Sequence, residues 1–69
     1  MTLEQFLKTD PAIAMSWLNM KLRDEYRDLA ELCESTGFET EDVVAKMTAY
    51  GYEYVASLNQ FRPSEAIEH

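Results

Sequence analysis

Residues 29–47 read Leu-Ala-Glu-Leu-Cys-Glu-Ser-Thr-Gly-Phe-Glu-Thr-Glu-Asp-Val-Val-Ala-Lys-Met, and this stretch decides the fold. Leu29, Leu32 and Cys33 stand at i, i+3 and i+4, so they share one face of a short helix. Gly37 falls where that helix must stop, because glycine takes a positive φ at little steric cost. Phe38 then plugs the turn. Thr40 is the expected N-cap of a second helix, with Glu41 and Asp42 in its first turn, where acids complement the helix dipole. Val43, Met47 and Tyr50 form its inward stripe and Val44 flanks them. Ala30 and Cys33 are small, as a close helix crossing requires. The stretch therefore predicts a helix-turn-helix, a shape that packing alone also produces and that does not by itself imply DNA binding.

Upstream, Asp10-Pro11 starts a longer helix, with Asp10 as N-cap and Pro11 at the first helical position. It runs to about Tyr26. Ala14, Leu18, Leu22 and Tyr26 recur every four residues, and Met15 and Trp17 widen the stripe. Asn19 lies beside that stripe, so its amide is expected to hold a loop carbonyl or amide. Arg23 and Asp24 are expected to pair with neighbouring helices, and Asp28 to cap the helix that begins at Leu29. Ahead of this, Thr2 and Gln5 have the spacing of a capping box for a short helix to Lys8, with Leu3, Phe6 and Leu7 as its apolar face.

Downstream of a second C-cap at Gly51, the pattern becomes β. Tyr52-Glu53-Tyr54-Val55 and Asn59-Gln60-Phe61-Arg62 are two short strands joined by Ala56 to Leu58, with Asn59 at positive φ. Two strands alone are marginal, so Tyr52, Tyr54 and Phe61 must pack on the helices. The fold class expected is mainly α: a small helical domain with a helix-turn-helix core and a short C-terminal β-hairpin, winged-helix-like. Residues 1–62 form one domain, and 63–69 a flexible tail containing His69, the single histidine.

Sixty-nine residues allow one small core, for which dimerisation is a natural supplement. Six basic against 13 acidic residues give a formal net charge of −7, which opposes phosphate backbones and anionic lipid. No secretory leader or long apolar run appears, and the lone Cys33 cannot form an internal disulfide, so a cytoplasmic setting is expected. Cys33 reads as a small buried hydrophobe.

From Asp10 to Phe61 the chain resembles a family of short bacterial proteins classed as domain of unknown function 4250. The residues that carry the resemblance are Asp10-Pro11, Leu18-Asn19, Leu22-Arg23-Asp24 with Tyr26, then Leu29, Leu32-Cys33, Gly51-Tyr52-Glu53-Tyr54 and Asn59-Gln60-Phe61. The resemblance implies a small protein and carries over no catalytic residue.

No cluster of residues has the spacing of a metal or phosphate site, and Glu39, Glu41 and Asp42 lack the alternation of a calcium loop. No enzyme activity and no cofactor are expected. The first expectation is a protein-interaction or homodimerisation module, with Arg23, Arg27, Tyr52, Tyr54 and Arg62 as candidate partner-binding residues, since amphipathic aromatics and arginine favour interfaces. The alternative is a DNA-binding winged-helix-like regulator. Against it, the leading end of the would-be recognition helix carries Glu39, Glu41 and Asp42, and Lys46 is its one base.

Overall fold

A computed structural model describes residues 1–64 of the chain. The expected tail residues 65–69, His69 among them, lie outside the described residues. The elements in chain order are α1 (Leu3–Lys8), α2 (Pro11–Asp24), α3 (Leu29–Thr36), α4 (Thr40–Ala49), β1 (Tyr52–Val55) and β2 (Gln60–Pro63). The fold is mainly helical, with the turn at Gly37 and the hairpin both in place.

Local chemistry sets most boundaries. Thr2 and Gln5 make a reciprocal capping box on α1. The Asp10 carboxylate accepts from the amides of Ala12 and Ile13, and Pro11 opens α2. Asp28 accepts from the Glu31 amide at the start of α3. Gly37 ends α3 at φ 80, and its N–H donates to the Cys33 carbonyl at 2.9 Å. Gly51 and Asn59, at φ 85 and 51, make the entry to the hairpin and the end of its turn.

β1 and β2 are antiparallel, with Tyr52 opposite Pro63, Glu53 opposite Arg62 and Tyr54 opposite Phe61. Pro63 is thus still paired, and the Ser64 N–H donates to the Gly51 carbonyl at 2.7 Å, so the ordered backbone passes beyond residue 62.

The core is built around Phe6, Leu18, Leu32, Val43, Met47 and Phe61, each essentially without solvent contact. Burying each such side chain contributes roughly 1.5–3 kcal/mol. Phe6, Trp17 and Phe38 meet with ring centroids 5.6–6.4 Å apart, so α1 closes the core over the α3–α4 turn. Tyr54 and Phe61 pack at 5.4 Å and join the hairpin to that core.

Several expectations are corrected. α2 stops at Asp24, and Tyr26 lies in the corner, because the amides of both Glu25 and Tyr26 donate to the Lys21 carbonyl and widen the last turn. Thr40 is the first residue of α4, not its cap. Glu39 occupies the cap position with no side-chain bond, its carbonyl receiving the amides of Asp42 and Val43. Tyr50 is 61% exposed, because α4 ends beside it and Tyr52 and Tyr54 supply the aromatic packing from β1. Leu7 and Ala30 also face solvent, which leaves Phe6 as the buried anchor of α1 and Cys33 as the small buried residue of α3. Arg23 and Asp24 pair with each other, not with neighbouring helices.

Candidate interaction surface

Three polar side chains fix how the hairpin sits on the helices. Asn19 binds the Phe61 backbone twice: its amide donates to the Phe61 carbonyl at 3.0 Å, and its oxygen accepts from the Phe61 N–H at 2.7 Å. The Asn59 amide donates to the carbonyls of Leu22 and Tyr26 at 3.0 and 3.1 Å, closing the open end of α2. The Tyr54 hydroxyl donates to the Asn59 oxygen at 2.7 Å and accepts from the Leu29 N–H at 3.2 Å. One linked set of bonds therefore serves the end of α2, the start of α3 and the turn of the hairpin.

Among the candidate partner-binding residues, Tyr54 has its hydroxyl committed to this set, and Tyr52 is half-buried against the core. Arg23, Arg27 and Arg62 are exposed. Arg23 forms two bonds to the Asp24 carboxylate at 2.9 and 3.0 Å, and Arg27 pairs with Glu31 at 3.3 Å. The guanidinium of Arg23 holds the Asp24 carboxyl below its ordinary pKa, through the hydrogen bond first. Arg62 stands across the hairpin from Glu53. The five residues are spread over α2, the α2–α3 corner, β1 and β2, and Arg23 and Tyr54 line separate grooves.

Lys46, the one base of α4, is turned away from the helix's outer side. Its Nζ donates to the carbonyls of Leu7 and Thr9 at 2.9 and 2.6 Å and lies 5.5 Å from the centre of the Phe6 ring. It holds the end of α1 against α4.

The outer side of α4 is the surface that the candidate residues did not include. Glu41, Val44, Ala45, Thr48 and Ala49 line a shallow, largely apolar groove. Val44 and Thr48 also border a second groove, with Glu53, Tyr54, Val55 and Ala56 of β1 and its turn. The signal in the sequence is the Val43-Val44 pair. Adjacent helical side chains diverge by about 100°, so only one valine can face the core. Val43 is fully buried and Val44 is 39% exposed.

The acids around this face make no ion pair among the described residues. The ion pairs among the described residues use Glu4, Glu25, Asp24 and Glu31. None of them involves Glu39, Glu41, Asp42 or Glu53.

The chain belongs to the family described as domain of unknown function (DUF4250), whose model matches residues 8–61. No curated protein and no solved structure matches the chain. Among the described residues no helix is long and apolar enough to cross a membrane.

Proposed function

We propose that this chain is a small, non-catalytic, cytoplasmic interaction module that meets a protein partner through the outer face of α4 and the adjoining groove along β1. One observation carries this: α4 turns Val44, Ala45, Thr48 and Ala49 outward while its single base is engaged inward on α1. Exposed aliphatic surface between polar residues is what a protein interface desolvates.

The DNA-binding alternative asks the same helix to lie in a major groove. Its leading end would then bring Glu39, Glu41 and Asp42 toward phosphates, with no base from α4 to offset them. Homodimerisation through this face is a version of the proposed function, and the experiment separates it from a second protein.

The experiment is photo-crosslinking in the native cells, with benzoyl-phenylalanine at position 44 and, as a control, at the exposed position 34 of α3. A discrete protein adduct from position 44 and none from position 34 is the expected result. Nucleic-acid adducts at 44, or the same adduct pattern from both positions, would contradict the proposal. The mass of the adduct tells a second copy from another protein.

A further inference from the structure

We infer that the occupant of the α4–β1 groove is a basic amphipathic helix of a different protein, presenting a short aliphatic stripe flanked by lysine or arginine. This rests on the proposal that the face is an interaction surface, and it names the chemistry of the partner.

The shape of the face favours a helix. Ala45, Thr48 and Ala49 are small and stand along one side of α4, with Val44 as the one larger aliphatic group. Small side chains let a second helix axis approach closely, and a single raised valine fits between two turns of it. The groove continues past Val44 and Thr48 to β1, so a docked helix would rest between α4 and the strand.

Charge selects which helix. Glu41 borders the groove on α4 and Glu53 borders it on β1. Glu39 and Asp42 are exposed near the Glu41 end. No ion pair among the described residues engages these four carboxylates, although Arg62 stands opposite Glu53 in the hairpin register. A mainly acidic border attracts a basic partner and suppresses an acidic one.

The same charges count against a second copy. Two copies meeting face to face would use the same patch on both sides and so bring one acidic border against another, an unfavourable like-charge arrangement. Few bases are left to answer these acids. Lys8, Lys21, Arg23 and Arg27 each pair with a nearby carboxylate and Lys46 binds backbone carbonyls, so among the described bases only Arg62, across the hairpin from Glu53, remains to offer a second copy.

The test is a nuclear magnetic resonance titration of the full chain with two synthetic helical peptides. Both carry the same Leu/Ala stripe, one flanked by lysines and the other by glutamates. The lysine peptide is expected to shift amides of Glu41–Ala49 and Glu53–Ala56, and to bind at least about tenfold tighter than the glutamate peptide. The double charge reversal Glu41→Lys with Glu53→Lys should invert that preference, and added salt should weaken the lysine peptide. Equal affinities for the two peptides, no binding of the lysine peptide, or shifts centred on another surface would overturn the inference. So would self-association that shifts these same amides and is abolished by Val44→Lys. In that last case the interaction surface stands and only the basic partner falls. A position-44 crosslink to a protein without a basic helix would likewise remove the basic partner and leave the surface in place.

Discussion

Asn59 joins three parts of the chain with one side chain. At φ 51 it closes the hairpin turn, its amide takes the carbonyls of Leu22 and Tyr26, and its oxygen receives the Tyr54 hydroxyl. Asn59→Ala removes these bonds and places alanine in a left-handed conformation, so a loss of about 2–3 kcal/mol is expected in urea unfolding. Asn59→Gly keeps the backbone comfortable and should cost less. Tyr54→Phe, which leaves the Leu29 N–H and the Asn59 oxygen without the hydroxyl, should cost about 1 kcal/mol, and the two sites should be coupled in a double-mutant cycle. Strict additivity of Asn59→Ala and Tyr54→Phe would show that the linked bonds are not shared. The role of Asn19 is legible in the sequence because an amide beside a buried stripe must find a partner. The positive φ at Asn59 is legible from turn chemistry. The bonds of Asn59 and Tyr54 to the helices are not, since they join residues 25 to 37 positions apart, and nothing local records such a pairing. For the same reason the sequence shows Tyr54 as an amphipathic aromatic on a strand and does not show what its hydroxyl binds.

α1 and the α3–α4 turn show how much one contact can set the place of a whole element. α1 has six residues, too few to be helical alone, and is held by Phe6 in the core and by Lys46 on its final carbonyls. Lys46→Met keeps the aliphatic stem and removes the donors. It should lower hydrogen-exchange protection within α1 selectively, with a global loss of about 1–2 kcal/mol. Unchanged protection in α1 would mean that Phe6 suffices. At the turn, a Cβ on Gly37 would meet no atom within 4 Å, so Gly37→Ala is opposed by the φ of 80 alone. A loss of about 1–2 kcal/mol is expected in chemical unfolding, and Gly37→Asn should lose less, because asparagine tolerates this region better. The order of the elements and the glycine between α3 and α4 are readable from periodicity and caps. Thr40 and Tyr50 depart from their expected places for a physical reason. Phe38 is drawn into the core just before α4, and the aromatics of β1 pack where Tyr50 would have turned inward, so tertiary packing sets both ends of that helix.

The described chain has a radius of gyration of 11.1 Å, close to the roughly 11 Å expected of an independent domain of this length. Its surface charge is uneven. The bases of α1, α2 and the α2–α3 corner sit beside their own acids, whereas the acids around α4 form no such pairs. With a formal net charge of −7, self-repulsion outweighs the exposed ion pairs, each of which adds little. Moderate sodium chloride should therefore raise the Tm of the isolated chain, whereas a fall would show that the pairs dominate. The acidic character of α4 is legible from composition and position. The use of its outer side is not, because Val43 and Val44 look alike until the core chooses one of them. The most direct check on α4 as a protein-facing element is its amide spectrum during titration with random-sequence duplex DNA at low salt. Unmoved Glu41–Ala49 resonances are predicted, and saturable shifts along that helix would contradict the proposal.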